Sequence, residues 1–483
     1  MTYSENISRK REEFSVAMTA EIDCQLQRHL LRADKQEDVA FALYKPSPGR
    51  SRFTALLHKV VLPYEHERTL HGAHIELSLG FFKRICGMAI NEKSGVVLLH
   101  SHPTAGWQGM SEDDIATEEK YSQPADDLTG LPFVGMTLGT DGTWSGRVWE
   151  YQNRTYERKM AATVRVVGKR LAVSYNDSLR ARPTFGEKFK RTVTVWGKKN
   201  HWHLARLRVG IAGLGSVGSM VAESLARMGV QRFVLLDFDE VQEHNLDRLL
   251  GTSEIDIGQP KVYIAERQMK KASTADQINI NAVTAAITEE NGYRHVLDCD
   301  VVFGCVDRPW PRKVLNHIAY NHLIPVIDGG IKVRLETAAP HVFEGADWQL
   351  QSVGPERPCL ECLHAYHSSD VMTEQEGNLE DPRYIEGLPE NHAFKRNENI
   401  FPFSANLASL EVMQFIEMTT GIGGADYWGI QRFSYNQGFI RVYEDRKCEQ
   451  GCYFESGIAT GDTVFNAPIG FDHAADAARK RQA

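Results

Sequence analysis

Two short runs of this sequence carry residue types that could hold a metal ion and a nucleotide. The first is His100-Ser-His102-Pro103, seven further residues, then Ser111-Glu-Asp-Asp114. On an extended chain residues two apart point to the same face, so His100 and His102 can bind one cation side by side. Ser111 can cap a helix running from Glu112 to about Tyr121, and Asp114, one turn in, then points back beside the cap. Two imidazoles and a carboxylate leave a fourth tetrahedral position for water, the plan of a catalytic zinc site. Ser-x-x-Asp alone reads as a capping box and His-x-His near a turn can be incidental; the combination is far more specific than either part.

The second run is Arg206 to Lys261. An apolar stretch, Val209 to Ala212, leads directly into Gly213-Leu-Gly215-Ser-Val-Gly218, then a helical segment from Ser219 to Met228 and a second apolar stretch, Phe233 to Leu236, closed by Asp237. Strand, glycine turn, helix, strand and acid make a nucleotide-binding βαβ unit, in which backbone N–H groups approach a phosphate and the acid binds ribose hydroxyls. A nicotinamide or flavin enzyme is the default for such a turn. It has no need of Asn245, Arg248 and Gly258-Gln-Pro-Lys261 shortly afterwards. A triphosphate with a metal does: Arg248 and Lys261 supply charge to phosphates, and Asp239 could help hold Mg²⁺.

Cysteines add a third group. Of eight in 483 residues, four fall in near-pairs, Cys359-x-x-Cys362 and Cys448-x-x-x-Cys452, a pattern for a structural zinc with four thiolates. The alternative is four free thiols that happen to pair in sequence. So few cysteines fit a reduced, cytoplasmic protein better than a disulfide scaffold. A net charge of −8 disfavours nucleic acid as the main partner. No uninterrupted apolar run reaches the ~18 residues of a membrane span, and the mixed-charge N-terminus is no secretory signal.

The elements that must position these groups follow from periodicity. Phe14, Met18, Ile22, Leu26 and Leu30 place a helix within the first 33 residues. Glu37 to Tyr44, Phe53 to Leu62 and Gly95 to His100 read as strands, and His74 to Met88 as an amphipathic helix. Leu131 to Trp149 reads as strands broken by a turn at Gly139-Thr-Asp-Gly142. After Lys261 come a helix to about Ala272, strands near Ile278 and over Asp298 to Asp307, a helix from Pro311 to His322 and a strand from Ile324 to Gly330. Phe401 to Gly421 is a late helix, Arg432 to Tyr443 a closing strand, and the tail from Asn466 frays or packs as a short helix. The expected fold is α/β throughout. Residues 1–175 form an α+β domain, 176–188 a linker, 189–465 a Rossmann-like domain with a mainly parallel sheet, and 466–483 a tail.

The Gly-x-Gly-x-x-Gly, Asp-x-Asp, Asn-x-x-Arg and Gly-x-Pro-Lys series resembles the ThiF-type adenylyltransferases that activate ubiquitin-like C-termini. The resemblance implies Asp237 on the ribose and Asn245, Arg248 and Lys261 around the phosphates. It further implies Asp307, at the end of Val301-Val-Phe-Gly-Cys-Val-Asp307, with Mg²⁺. Arg191, six residues before Gly197, resembles the family arginine that reaches into a partner subunit's ATP site, which implies a homodimer. Leu249 departs from the family, where Gln usually follows the arginine. The His-x-His-Pro and Ser-x-x-Asp series resembles the JAMM/MPN+ (JAB) metalloproteases, which cleave after ubiquitin-like C-termini. It implies His100, His102 and Asp114 as zinc ligands, Glu37 as general acid/base and Ser111 as hydrogen-bond donor to the oxyanion; Ala40 stands where Gly is common. Cys359, Cys362, Cys448 and Cys452 match the two family knuckles, the second loosened to Cys-x-x-x-Cys.

Together these resemblances imply a bifunctional enzyme that trims or deconjugates a ubiquitin-like protein and adenylates its C-terminal glycine with ATP–Mg²⁺. Such fusions resemble bacterial ubiquitin-like conjugation systems, some linked to antiviral defence. Activating enzymes of ubiquitin also carry a cysteine after the first knuckle, and none lies between Leu363 and Lys447. The acyl-adenylate would then pass to a conjugating enzyme's cysteine or to a sulfur donor, unless a knuckle cysteine is itself catalytic. Activation of a sulfur carrier for cofactor or cysteine synthesis, and a ubiquitin-like binding scaffold with one inactive half, are the alternatives.

Overall fold

The computed structural model describes residues 12–71, 74–152, 155–336, 342–380, 386, 398–424, 428–444, 446–471 and 473–474. The chain divides into two compact units. One comprises residues 1–181 with short returns at 321–323 and 457–466; the other comprises the rest.

The first unit is built on a nine-stranded mixed sheet. In chain order its strands are β1 (Glu13–Thr19), β2 (Val39–Pro48), β3 (Arg52–Val61), β6 (Gly95–Ser101), β7 (Phe133–Leu138), β8 (Trp144–Gln152), β9 (Thr155–Met160), β10 (Thr163–Val167) and β11 (Leu171–Tyr175). Across the sheet they run β11-β10-β1-β3-β2-β6-β7-β8-β9, with a separate hairpin of β4 (Arg68–His71) and β5 (His74–Leu77). The central strands are apolar on both faces because helices cover both. Ala40, Ala42, Val97, Leu99 and Met136 pack with Leu26 and Leu30 of α1 (Ala20–Leu30). The alternate residues Val39, Phe41, Val96, Leu98 and Phe133 pack with α2 (Leu79–Glu92) and with Tyr121 and Ala125 of α3 (Glu112–Thr129).

The second unit carries an eight-stranded sheet. Its strands are β12 (Arg208–Ala212), β13 (Arg232–Leu236), β14 (Asn279–Val283), β15 (Val301–Gly304), β16 (Val326–Leu335), β17 (Phe343–Val353), β18 (Ile430–Ser434) and β19 (Phe439–Tyr443), in the order β14-β13-β12-β15-β16-β17-β18-β19. From β14 to β16 the pairings are parallel, and from β16 to β19 antiparallel. Its described helices include α4 (Lys190–Arg206), α5 (Ser216–Arg227), α6 (Lys261–Ala272), α7 (Glu290–Val296), α8 (Pro309–Asn321), α9 (Ser368–Gln375) and α10 (Phe401–Thr420). The chain builds outward from β12 through β13 to β14, then returns to place β15 on the other side of β12. That reversal opens a crevice beyond the carboxyl ends of β12 and β15, the place where doubly wound sheets bind ligands.

Several expectations are corrected. The helix placed within the first 33 residues is strand β1 up to Thr19 and helix only from Ala20, with Thr19 accepting from the Ile22 N–H as its cap. Residues 1–11 lie outside the described residues. The helix expected from His74 begins at Leu79, capped by Ser78, after strand β5. The single closing strand over 432–443 is a hairpin, β18 and β19, turned at Gly438, whose φ of 70° favours glycine. The long strand β17 was not anticipated. The sheet is mixed: four of its seven pairings are parallel, and the three from β16 to β19 are antiparallel. Most of the tail beyond Phe471 lies outside the described residues. Among the described residues no helix is long and apolar enough to cross a membrane.

Candidate active sites

In the first unit, His100 ends the inward face of β6 begun by Val96 and Leu98, and His102 follows just past the strand. Ser111 caps α3 and forms a capping box with Asp114. Its hydroxyl accepts from the Asp114 N–H at 3.1 Å, and the Asp114 carboxylate accepts from the Ser111 N–H at 2.9 Å. The box swings the Asp114 carboxylate back over the helix start toward the two histidines. His100 Nε2 and His102 Nε2 stand 3.1 Å apart, and they lie 3.4 and 3.2 Å from the two Asp114 oxygens. A tetrahedral cation with bonds of about 2.0 Å separates its N and O ligands by about 3.3 Å; the two nitrogens, and each nitrogen and the Asp114 oxygen it faces, lie near that spacing, so the three side chains fit zinc. Burial pushes the Asp114 carboxyl up, but hydrogen bonds from both histidines outweigh it and hold it well below the usual range. His102 is raised, chiefly by Asp114, with Glu37 contributing.

Glu37 is half-buried just before β2, near enough for its charge to act on His102. The segment is held by its neighbour. Asp38 is 1% exposed, accepts from the Val39 N–H, pairs with Arg68 and Arg32, and donates its own N–H to Ser101 Oγ beside the histidines. Ser111 is exposed, and because its oxygen only accepts within the capping box, its O–H is left to donate.

In the second unit the crevice is a cavity of ≈ 800 Å³. Gly213, Gly215, Asp237, Asp239, Asn245, Arg248, Lys261 and Asp307 all line it. The three glycines differ in what they do. A Cβ on Gly213 would meet the Cys305 carbonyl oxygen at 2.4 Å, and φ there is 90°. A Cβ on Gly218, buried behind the turn, would meet the Gly213 oxygen at 2.0 Å, whereas one on Gly215 would meet nothing within 4 Å. Two glycines therefore serve packing, and the middle one opens the backbone to the cavity at the start of α5.

Asp237 accepts from the N–H groups of Leu214, at 2.6 Å, and Asp239, at 2.8 Å. Burial, then Asp239, raises its pKa, and Lys261 opposes both. Lys261 donates to Asp239 at 2.7 Å; burial acts to lower its pKa, but Asp237, Asp239 and Asp307 together hold it above the ordinary value. A permanently charged lysine facing three carboxylates is an arrangement that a polyphosphate and a divalent cation would rearrange, the cation taking the acids and the lysine the phosphate. Arg248 is turned onto the His244 carbonyl and Asp247 at the cavity wall. Asn245 closes a short turn by accepting from the Gln242 N–H. Arg191 is exposed on α4 and does not line this cavity.

The four cysteines meet, with all ligand atoms within 4.8 Å of one another. Cys359 Sγ and Cys452 Sγ are 3.7 Å apart, against about 3.8 Å for the edge of a tetrahedral zinc–thiolate site. The backbone N–H groups of Cys359, Cys362 and Glu449 donate to three of the sulfurs, which favours thiolates. The residues fit a structural zinc.

A family model described as the ThiF family matches residues 189–452, more than half of the chain. The chain belongs to the ThiF family. Its ThiF-family adenylyltransferase domain is 27% identical over 216 residues to the molybdopterin-synthase adenylyltransferase of Escherichia coli, covering 45% of this chain and 74% of that protein. It is 28% identical over 167 residues to the SAMP-activating enzyme E1 of Haloferax volcanii, covering 35% of this chain and 57% of that protein. A crystal structure of E. coli MccB with ATP superposes with a TM-score of 0.42 at 16% identity, over 56% of this chain and 75% of that one. The family match and the parallel strands around β12 agree with the Rossmann-like fold expected of this domain.

Residues that sequence reasoning missed surround the first site. Glu118, Thr137 and Arg147 are each 0% exposed and lie beside or behind His100 and Asp114. One signal was available: Glu118 stands four residues after Asp114, on the same stripe of α3.

Proposed function

We propose that the chain couples two activities on one small protein: a zinc-dependent peptidase or isopeptidase in residues 1–175, and an ATP-dependent adenylyltransferase in 189–465, with 176–188 as linker and 466–483 as tail. The observation that carries the reading is the cluster of His100, His102 and Asp114, whose nitrogens lie 3.1 Å apart and 3.2–3.4 Å from the Asp114 carboxylate, in a chain that also belongs to the ThiF family. This supports a JAMM/MPN+-type first domain.

In that domain His100, His102 and Asp114 would hold zinc, which when bound supplies a polarised water. Glu37 would take a proton from the attacking water and return it to the leaving amine, while the Ser111 O–H would donate to the carbonyl oxygen as charge develops there. In the adenylation domain the substrate's C-terminal carboxylate would attack the α-phosphorus of ATP and expel pyrophosphate. Asp237 would hold the ribose, Asn245, Arg248 and Lys261 the phosphates, and Asp239 and Asp307 Mg²⁺. Arg191, exposed and outside its own cavity, would serve the site of a second copy in a cytoplasmic homodimer.

The substrate class we favour is a ubiquitin-like protein, because a protease that exposes a C-terminal glycine and an enzyme that activates it read the same tail. Activation of a sulfur carrier is the second reading, and the thiols favour keeping it. Among the described residues Cys305 is the one cysteine lining the cavity, and its thiol is pushed well up by burial, then by Glu411 and Asp328. With four others gathered in the knuckle, no poised acceptor thiol among the described residues lines the cavity, so the adenylate would pass to a sulfur donor or to a separate conjugating enzyme. A role in antiviral defence rests on the resemblance alone.

The test is the intact mass of a ubiquitin-like protein bearing a short C-terminal extension, incubated with zinc, ATP–Mg²⁺ and the enzyme or its Glu37→Gln and Asp307→Ala variants. Loss of the extension that needs Glu37, and an AMP adduct that needs Asp307, would establish both activities. Neither event with any such substrate, from a protein that binds no zinc at the His100 site, would sink the bifunctional reading.

A further inference from the structure

Glu37 reaches the first site on a stretch with no helix or strand of its own, since β2 begins only at Val39. Pairing with β6 decides where that stretch lies. The two strands run antiparallel with Val39 opposite His100. One step further the same register sets Asp38 opposite Ser101, and the contacts are present. The Ser101 N–H donates to the Asp38 carbonyl at 3.2 Å, and the Asp38 N–H donates to Ser101 Oγ at 3.1 Å. One step beyond that, Glu37 falls opposite His102. Successive residues of an extended chain point to opposite faces, so Glu37 shares the face of Val39, His100 and His102, and Asp38 takes the other.

That other face is the one on which Ala40 and Ala42 pack against α1. There the Asp38 carboxylate is 1% exposed, with both oxygens bound. One accepts from the Val39 N–H at 2.8 Å and pairs with Arg68 of β4. The second accepts at 3.3 Å from Nη1 of Arg32, which follows the end of α1. His29 Nε2, on α1, donates to the Val39 carbonyl at 3.0 Å and ties the same corner down. A buried carboxylate is tolerated only where donors and cations meet it. A slip of one residue would exchange the faces of Glu37 and Asp38 and take Asp38 away from all of its donors.

We infer that Asp38 is a positioning residue of the peptidase reaction: buried between Arg32 and Arg68 on the α1 side of the sheet, it fixes the register that sets Glu37 opposite His102. This rests on the reading of Glu37 as general acid/base proposed above. The reach of Glu37 to the attacking water then depends on a carboxylate on the far face of the sheet.

The test uses the full-length protein with zinc and a ubiquitin-like protein bearing a short C-terminal extension. Asp38→Ala removes the carboxylate; Arg32 and Arg68, whose side chains are 30% and 21% exposed, can then turn to water. Asp38→Asn is the milder companion should the alanine variant not fold. Misplacement of a catalytic group by about 1 Å can cost about 10²-fold, so kcat for release of the extension is expected to fall at least about 10-fold. KM and zinc affinity are expected to stay within about 3-fold of the parent. In the Glu37→Gln background the same change is expected to lower the residual activity no further, because Asp38 acts through Glu37. In the metal-free protein, amide hydrogen exchange over residues 37–39 is expected to quicken at least about 10-fold. A merely structural role would lower activity in both backgrounds alike. Parent-like kcat or parent-like exchange in the Asp38 variants, or an equal loss in the Glu37→Gln background, overturns the inference while leaving Glu37 in its role. If the parent releases no extension, or Glu37→Gln releases it as fast, the reading of Glu37 falls, and this inference with it.

Discussion

The glycine turn offers a pair of substitutions whose effects should separate. At Gly218 an added Cβ lies 2.0 Å from the carbonyl oxygen of Gly213, against an optimal heavy-atom separation of roughly 3.5 Å. The obstacle is backbone of the same turn, which is also packed on Cys305, so it cannot swing aside as a side chain would. Overpacking of this kind costs about 1–3 kcal/mol, and Gly218→Ala belongs at the top of that range. At about 2–4 °C per kcal/mol for a domain of this size, its melting temperature should fall by roughly 6–12 °C. At Gly215 the added Cβ meets nothing within 4 Å, and φ is −72°, which alanine adopts without strain. Gly215→Ala should therefore melt with the parent. Its methyl, however, points into the cavity at the start of α5, where a phosphate would approach the backbone. Loss of that approach should weaken ATP–Mg²⁺ at least about 10-fold, or ~1.4 kcal/mol. Differential scanning calorimetry and titration of ATP–Mg²⁺ measure the two effects. Parent-like ATP affinity in Gly215→Ala would refute the placement of the nucleotide, and a parent-like melt in Gly218→Ala would refute the steric account of the turn.

Cys362→Ser should lower the zinc content of the purified protein from two ions per chain to one and destabilise the ThiF-family domain; metal analysis and melting check this, and unchanged content would argue for free thiols. His201 is 0% exposed among Phe185, Phe189 and Trp196, and burial pushes its pKa down to about 4. The unfolded chain, with an ordinary pKa of about 6.5, takes up the proton first. The stability tied to the neutral ring is therefore full above about pH 6.5 and drains away as pH falls toward 4, by about 2 kcal/mol between pH 7 and pH 5. His201→Phe should flatten that part of the urea-denaturation profile, and equal slopes for parent and variant would remove His201 as its source.

What the sequence determined by itself was whatever the chemistry keeps local. His100 and His102 share a face because a strand repeats every two residues, Asp114 returns to them because a cap folds one turn back, and Gly213 to Gly218 form one strand–helix turn. The cysteine pairs were legible for the same reason, although only folding brings Cys359 to Cys452. Tertiary structure decided the rest. The stripe Phe14, Met18, Ile22, Leu26, Leu30 has helical spacing, yet Phe14 and Met18 belong with Val16 on one face of β1. Parallel pairing with β3 and β10, contributed by distant segments, overrode the local pattern. Thr137, Arg147 and Glu118 carried no motif at all. They reach His100 through sheet register and helix packing, and register is a property of the folded sheet that no single stretch of sequence contains.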